Sequence, residues 1–310
     1  MPPGQRVRFD MPVALLPTHT QLHLPFTVLN GLRPGPRLWV SAAVHGDELN
    51  GVEVIRRLLG RLDEPLRRGA LIAVPIVNVF GFIQQSRYLP DRRDLNRSFP
   101  GSAQGSLAAR IAHLFMTEVV AHSQYGVDLH TASGDRSNQP QVRGDLDDPE
   151  TLRIARAFAA PVMVHSQVRD GSLRGAAMRR GVPVLVYEGG EAMRFNENAV
   201  RVGVQGVLGV MRELGLVRRK PKPANPWRSI RIDESRWVRA RRGGLLRLEV
   251  EEGQIVGHRA RLGAIGDPFG DEEVIVRAPF RGLVIGIAKN PVVHGGDGIV
   301  HVGRLGADEG

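Results

Sequence analysis

Ala42-Ala43-Val44-His45-Gly46-Asp47-Glu48-Leu49-Asn50-Gly51 is the stretch of sequence that decides the predicted fold. It follows an apolar run, residues 38–44, that predicts a buried strand, and it precedes residues 52–62, which predict a helix. The loop between them therefore lies at the carboxyl end of a strand, where open α/β sheets place their ligands. His45 and Glu48 are three residues apart and can both reach one metal ion, and two histidines with one glutamate form a known open zinc site.

A third ligand comes from the segment Gly126-Val-Asp-Leu-His-Thr131. His130 also ends a predicted strand, so it is expected at the same edge of the sheet as His45 and Glu48. The chain has no cysteine, so any metal must be held by histidines and carboxylates. The other histidines lie in irregular, helical or C-terminal segments, except His165, which follows a strand but lacks a matching set. We interpret all of them as structural or surface residues. We predict one Zn²⁺ per chain.

Apolar strands and amphipathic helices alternate through the first two thirds of the chain. Further strands are predicted at residues 70–77, 125–129, 161–164 and 182–187, and further helices around residues 107–119, 150–158 and 200–214. This alternation predicts an α/β fold with a mixed, largely parallel sheet and helices on both of its faces. Residues 6–29 predict only short extended pieces broken by prolines, and Asn30-Gly31 predicts a hairpin turn before the strand that ends at His45.

The pattern changes at residues 218–226, which are basic and proline-rich and predict a linker. Short strands and glycine turns follow to the end of the chain. We therefore predict a zinc-dependent catalytic α/β domain at residues 1–222 and a small all-β domain at residues 223–310. The second domain is similar to a biotinyl/lipoyl half-barrel, but the turn at residues 267–273 has no lysine, which argues against a carrier function.

The composition is that of a soluble globular protein, and the net charge is +10. The basic residues are nearly all arginine and are scattered without interleaved aromatics, which favours solvated arginine-rich faces over nucleic-acid binding. A positive field would still draw an anionic substrate towards a cleft. No apolar run could span a bilayer and no signal peptide is recognised, so we predict a cytoplasmic protein, with no membrane or nucleic-acid partner, and a possible homo-oligomer.

Two further segments carry polar residues suited to catalysis. The loop from Arg87-Tyr88 to Asp94-Leu-Asn96-Arg97 places a guanidinium beside an amide, which suits a carboxylate ligand, and no residue outside this loop is assigned to a second substrate carboxylate. Glu188 follows the strand at residues 182–187 and precedes two glycines, which would let the backbone approach a ligand closely. Glu188 is the candidate general base, and Glu191 is the alternative.

These segments in this order resemble the succinylglutamate desuccinylase/aspartoacylase family, a branch of the zinc carboxypeptidase-like fold. The resemblance covers roughly residues 36–216 and accounts for the C-terminal part, because family members carry a small β domain after the catalytic one. The matching motifs are His45-Gly-Asp-Glu48, Arg87-Tyr88, Asp94-Leu-Asn-Arg97 with Phe99-Pro-Gly101, Asp128-Leu-His130, and Glu188.

The resemblance implies a role for each matching residue. Zinc is expected on His45, Glu48 and His130, with Arg87 polarising the scissile carbonyl and Glu188 acting as general base and acid. Tyr88, Asn96 and Arg97 are expected to bind the substrate, the last two through its carboxylate.

The predicted function is zinc-dependent hydrolysis of the amide bond of a small N-acylated amino acid or related N-acyl amine, as in deacylases, desuccinylases and deacetylases. A metal-bound water would attack the acyl carbonyl, and the bond broken would be a carbon–nitrogen bond other than a peptide bond. Two alternatives stay open: a metallocarboxypeptidase acting on peptide C-termini, and a non-catalytic binding protein that uses the β domain.

Overall fold

The computed structural model describes residues 1–218 and 229–306. The predicted domain boundary at residues 222 and 223, and most of the predicted linker, lie outside the described residues, so the division into two domains stays a prediction. Within the described ranges no helix is both long and apolar enough to cross a membrane.

Eight strands from the first part of the chain form the main sheet, in which both parallel and antiparallel pairs occur. The strands are β1 (Arg6–Leu15), β2 (Gln21–Asn30), β3 (Arg37–Ala42), β4 (Ala70–Val74), β5 (Tyr125–Ala132), β6 (Arg136–Gly144), β7 (Val162–His165) and β8 (Val184–Glu191). Their order is β1-β2-β4-β3-β5-β8-β6, and β7 pairs with β6. The neighbours β4-β3-β5-β8 are parallel, while β1-β2, β2-β4 and β8-β6 are antiparallel.

Helices cover both faces of this sheet, which confirms the predicted fold class. Successive residues of a strand point to opposite faces, so Leu38 and Val40 of β3 pack in one hydrophobic core while Trp39 packs in the other. The helices are α1 (Asn50–Gly60), α2 (Val79–Gln84), α3 (Leu107–Glu118), α4 (Pro149–Phe158), α5 (Leu173–Met178) and α6 (Glu197–Glu213), with short 3₁₀ turns at Leu95–Arg97 and Val120–His122. The first core is closed by α1, α4 and α6, and the second by α3 and α5.

The N-terminal region differs from the sequence prediction. β1 and β2 are continuous ten-residue strands, paired antiparallel, and Pro12 is accommodated at a register shift on the edge strand. The predicted hairpin at Asn30-Gly31 is wrong, because β2 pairs with β4 and not with β3. The cause is non-local: α1 provides the crossover between the parallel strands β3 and β4, and this places β4 between β3 and β2.

The C-terminal part consists of short strands, as predicted, but it is not separated from the main sheet. Its strands are β9 (Ile230–Ile232), β10 (Ser235–Arg239), β11 (Gly244–Leu248), β12 (Ile255–Val256), β13 (Arg261–Gly266), β14 (Glu273–Arg277), β15 (Gly282–Ala288), β16 (Val292–Val293) and β17 (Gly298–Arg304). β15 pairs antiparallel with β6, and the sheet continues through β17 to β10, while β9 pairs with β7. A second sheet, in the order β14-β13-β11-β16, shares a hydrophobic core with β15 and β17.

Candidate metal centre and substrate cavity

The loop that carries His45 and Glu48 leaves the sheet directly after β3. Ala43 adopts a φ of 48°, a left-handed conformation that is uncommon outside glycine, and the chain turns away from the strand there. The backbone of α2 packs against the same loop, since a Cβ on Gly46 would lie 1.9 Å from the carbonyl carbon of Gly81. A side chain at position 46 would therefore displace α2, which explains why glycine follows His45.

Three buried side chains meet at this edge of the sheet. His45 Nδ1 lies 2.7 Å from Glu48 Oε1, and His130 Nδ1 lies 2.8 Å from Glu48 Oε2. One ligand atom from each of the three residues lies within 4.8 Å of the others. The sequence prediction that His45, Glu48 and His130 converge is therefore correct in its geometry, and both imidazoles present Nδ1 to the shared carboxylate.

The second nitrogen of each imidazole faces a different carboxylate. His130 Nε2 donates to Asp128 Oδ2 at 2.8 Å, and Asp128 in turn accepts from the Ser41 hydroxyl at 2.7 Å. His45 Nε2 lies 3.3 Å from Asp94 Oδ1. The hydrogen bond to Asp128 fixes the ring of His130 and leaves its Nδ1 as the ligand atom, which is the usual support of a metal-binding histidine. His45 Nε2 is buried without a hydrogen-bond partner among the described residues, so Asp94 lies near that ring without holding it.

The charges of this group favour a cation. Burial by itself lowers the pKa of His130, but Asp128 and Glu48 outweigh it and hold that pKa well above its ordinary value. Burial likewise raises the pKa of Glu48, yet His45 and His130 outweigh burial and lower it. Ligands that attract protons this strongly also attract a divalent cation, which displaces those protons on binding. Two Nδ1 atoms and one carboxylate therefore fit the zinc that the sequence predicts.

Arg87 lies next to this group. Its Nη2 donates to Asp94 Oδ2 at 2.9 Å, and its Nη1 lies 3.4 Å from Glu48 Oε1. Burial lowers the pKa of Arg87, and the carboxylates of Asp94 and Glu48 more than restore it, so the guanidinium stays charged. Tyr88 follows directly but does not line the cavity, and it is 46% exposed. A substrate contact for Tyr88 stays a prediction that no contact in the structure supports.

Asn96 and Arg97 also reach the cavity, from a 3₁₀ turn that Asp94 caps by accepting the Asn96 N–H at 2.8 Å. Asn96 Oδ1 accepts the N–H of Leu173 at 2.9 Å, so its Nδ2 group is the donor left for a ligand. Arg97 Nη1 donates to the Asn96 carbonyl at 2.6 Å.

Glu188 lies on β8 opposite His130 of β5, at the wall of the same cavity. Its Oε2 accepts from Asn138 Nδ2 at 2.6 Å. Glu191 is paired with Arg194 at 3.6 Å and does not line the cavity. Of the two candidate bases that the sequence left open, Glu188 is the one beside the metal-binding group.

A cavity of about 590 Å³ extends from the three ligands, and arginine dominates its wall. Both parts of the chain contribute, since Trp237 and Arg239 of β10 line the cavity together with residues 45–188. Trp237 is held by stacking on His301, with ring centroids 4.7 Å apart. The arginines that line the cavity are Arg87, Arg97, Arg136, Arg143, Arg169, Arg174 and Arg239.

Arg174 is the most important residue that the sequence analysis missed. It is 8% exposed, and its Nη1 and Nη2 donate only to neutral oxygens, Ser166 Oγ at 2.8 Å and the Gln167 carbonyl at 2.6 Å. Burial, followed by the charge of Arg143, lowers the pKa of Arg174 to about 10. A buried guanidinium without a carboxylate among the described residues favours binding of an anion. The available signal was an arginine within the small, apolar segment 173–177.

A second group, Asp145, Asp147 and His165, is also close enough to hold a cation. No metal-binding partners of His165 were predicted from the sequence, and the structure places these two carboxylates near it. Asp147 is 74% exposed and pairs with Arg231 at 3.0 Å, and His165 Nδ1 accepts the Leu146 N–H at 3.2 Å. We therefore interpret these three residues as part of an ion-pair network at the surface.

The fold and the site together define the class of protein. Its mixed α/β sheet carries a buried group of two histidines and one glutamate at the carboxyl ends of the parallel strands, and an arginine-lined cavity lies beside this group. The chain belongs to the succinylglutamate desuccinylase/aspartoacylase family of deacylases, whose catalytic-domain model matches residues 34–214, more than half of its length. The resemblance stated from the motifs is confirmed.

Similar proteins of known name agree with this assignment. The chain is 29% identical over 264 residues to an N-alpha-acetyl-L-2,4-diaminobutyric acid deacetylase of Halomonas elongata, covering 82% of this chain and 73% of that protein. A crystal structure of a succinylglutamate desuccinylase/aspartoacylase from Rhodobacter sphaeroides superposes with a TM-score of 0.86 at 27% identity, over 98% of this chain and 95% of the other. The product-bound ectoine utilization protein EutE (DoeB) of Ruegeria pomeroyi shares the fold, with a TM-score of 0.86 at 22% identity over 97% and 95% of the chains.

Proposed function

We propose that this protein is a zinc-dependent hydrolase that removes the acyl group from a small N-acylated amino acid, breaking a carbon–nitrogen bond other than a peptide bond. The observation that carries the proposal is that His45, Glu48 and His130 open into the same cavity as Glu188. Metal ligands, a carboxylate for proton transfer and a wall of cationic side chains are the parts that such a reaction needs.

The zinc would be held by Nδ1 of His45, the carboxylate of Glu48 and Nδ1 of His130. When bound there, it supplies Lewis acidity, which polarises the acyl carbonyl and lowers the pKa of a water molecule. Asp128, behind His130, keeps that ligand oriented.

Glu188 accepts a proton from the water as the water adds to the acyl carbon, and returns this proton to the nitrogen as the C–N bond breaks. The products are a carboxylic acid and an amine. Arg87 donates to the acyl oxygen as negative charge develops on it, a contribution of about 3 to 4 kcal/mol for one well-placed donor. Asn96 and Arg97, at the rim of the same cavity, bind the substrate carboxylate.

The charges of the wall indicate an acidic substrate. The three lining carboxylates all have partners: Glu48 contacts both histidines, Asp128 contacts His130, and Glu188 contacts Asn138. Arg174, in contrast, has only neutral partners among the described residues. We therefore propose that the preferred substrate carries a second carboxylate, bound at Arg174, and differs from the acetylated diamino acid named for the relative in Halomonas elongata, which carries a free amine.

The C-terminal strands favour the deacylase over the carboxypeptidase alternative. Trp237, Arg239 and Gly298 line the cavity, and Arg136 stacks over Trp237 at 5.2 Å from the ring centroid. The volume of about 590 Å³ is enough for a small N-acyl amino acid, whereas an extended peptide would have to reach past these C-terminal residues. The remaining alternative, a non-catalytic binding protein, would have no need of a proton-transfer carboxylate beside the metal ligands.

The test of the proposed function is a substrate screen of the zinc-loaded protein. N-acetyl, N-succinyl and N-formyl amino acids, acidic and neutral, are compared with a peptide of about ten residues. We expect release of the free amine from an N-acyl amino acid and no cleavage of the peptide. Efficient removal of C-terminal residues from the peptide would instead establish the carboxypeptidase alternative, and no turnover of any compound would favour the binding protein.

Replacing Arg174 with methionine is expected to remove the preference for acidic substrates. A hydrogen bond to a charged group contributes about 1.5 to 3 kcal/mol, so kcat/KM for the preferred diacid should fall about 10- to 100-fold while neutral N-acyl amino acids are affected little. The matched control is Arg179→Met, on an exposed arginine close by in sequence. Equal losses for acidic and neutral substrates would contradict an anion site at Arg174.

A further inference from the structure

Asn138 lines the cavity and donates a hydrogen bond to Glu188. It is 5% exposed, and its amide contacts Glu188 Oε2 at 2.6 Å. An ionised carboxylate only accepts hydrogen bonds, so the Nδ2 end of the amide must face Glu188 and the Oδ1 end must point elsewhere. Arg143 is a cation near Glu188, but its Nε lies 3.9 Å from Oε1, beyond hydrogen-bond distance.

The opposite end of the same amide lies against the C-terminal part of the chain. In the β6–β15 pair, Gly286 is directly opposite Asn138. A Cβ on Gly286 would lie 2.6 Å from Asn138 Oδ1, closer than atoms of this kind approach. Because Gly286 has no side chain, the amide oxygen of Asn138 can occupy this space. The backbone of β15 therefore limits where the Asn138 amide can lie on the side away from Glu188.

A second contact ties β15 to β6 near this point. Gln141 is fully buried and its Nε2 donates to the carbonyl of Ile285 at 3.2 Å. The pairing of β6 with β8 shifts register between Asn138 and Gln141, so Gln141 is opposite Glu188 in the ladder while Asn138 reaches it with its side chain. The C-terminal strand therefore braces β6 on both sides of this irregularity.

We propose that Asn138 is a positioning residue for Glu188, and that β15 completes the catalytic site by fixing Asn138 through the absence of a side chain at Gly286. The proposal rests on the proposed role of Glu188 as general base. Proton transfer in both directions requires the carboxylate to stay at one place, and a displacement of about 1 Å costs up to about 10²-fold in rate. A glutamate without this hydrogen bond would be free to rotate in the cavity.

The first experiment is a double-mutant cycle between Asn138→Ala and Glu188→Gln. Asn138→Ala is expected to lower kcat about 10- to 100-fold with KM and zinc content unchanged, because the base is misplaced and the substrate contacts are not. Combined with Glu188→Gln, it should cause no further loss, since a base that is absent cannot be misplaced. Additive losses would overturn the positioning role. Glu188→Gln with wild-type turnover would instead refute the proposed base itself, so the two failures are distinguishable.

Asn138→Asp provides a second variant of nearly the same shape. In its ionised form the introduced carboxyl group cannot donate to Glu188, and when protonated it shares its proton with the proposed base, so in either form Glu188 is impaired and kcat should fall at least as far as in Asn138→Ala. Thermal unfolding measures any effect of either change on stability. An Asn138→Asp protein with wild-type kcat would contradict the proposal.

The second experiment tests the contribution of β15. Gly286→Ala is expected to lower kcat by pushing the Asn138 amide, with KM and zinc content unchanged. Gly257→Ala is the matched control in the same part of the chain, because nothing lies within 4 Å of a Cβ at that position. In an Asn138→Ala background, where the colliding oxygen is gone, Gly286→Ala should have no effect on kcat. An equal loss in both backgrounds, or from Gly257→Ala, would show that β15 does not act through Asn138.

Discussion

Glu188→Gln is expected to lower kcat by about 10² to 10⁴-fold while zinc content and substrate affinity stay near wild type. Glutamine keeps the size of the side chain but cannot take a proton from water or return one to the leaving amine. Substrate should still bind, because the proposed carboxylate contacts at Asn96 and Arg97 do not involve Glu188. The measurements are kcat, KM, and zinc by elemental analysis of the purified variant.

Glu191→Gln is the control for this experiment. Its carboxylate pairs with Arg194 at 3.6 Å, outside the cavity, so its loss should leave turnover unchanged. An inactive Glu191→Gln together with an active, zinc-containing Glu188→Gln would mean that the base lies three residues further along the strand, and the role given to Asn138 would fall with it.

Loss of a metal ligand is expected to abolish activity altogether. His130→Ala removes one of three protein ligands and leaves Glu48 and Asp128 as buried carboxylates that face the gap. We expect zinc content near zero and no detectable turnover, and the same loss of turnover from removing the metal of the wild-type protein with a chelator, reversed by adding zinc. Retention of one zinc per chain by a His45→Ala/His130→Ala protein would place the metal elsewhere.

Asp128→Asn is the graded control for the metal site. It keeps the ligand His130 but replaces the carboxylate that orients its ring, at 2.8 Å from Nε2. Loss of such a supporting group costs about 10- to 100-fold in metal affinity or activity, so zinc should be retained at high concentration and lost on dilution. This outcome differs from the complete loss expected for His130→Ala.

The metal-binding group and the core of the fold were accessible from the sequence because both follow from local patterns. His45 directly follows an apolar run, Glu48 lies three residues later in the same loop, and His130 ends a second apolar strand; parallel strands bring their carboxyl ends to one edge. The positions of these side chains can therefore be predicted without knowing how side chains pack. Glu188 was favoured over Glu191 for the same reason, because it comes directly after the apolar residues of β8.

Residues whose role depends on non-local pairing were missed. β6 contains Pro140, and its sequence shows little alternation of apolar and polar residues, so it was not predicted as a strand. Asn138 and Arg143, which lie on it, were missed for the same reason. Arg174 lies in a helix of six residues, too short for a periodic signal. The pairing of β2 with β4, and of β15 with β6, joins residues far apart in sequence, and single-sequence periodicity contains no information about such partners.

The pairing of β6 with β15 also has a consequence for biosynthesis. Translation runs from the N-terminus, so a nascent chain contains the proposed zinc ligands and Glu188 well before residues 282–288 are made. During that interval residues 136–138 of β6 lack their partner strand β15, while residues 141–144 at the same edge are paired with β7. An open segment of this kind can pair with another chain. Asn138, and through it the proposed base Glu188, therefore gains the support of β15 only after the last strands have left the ribosome.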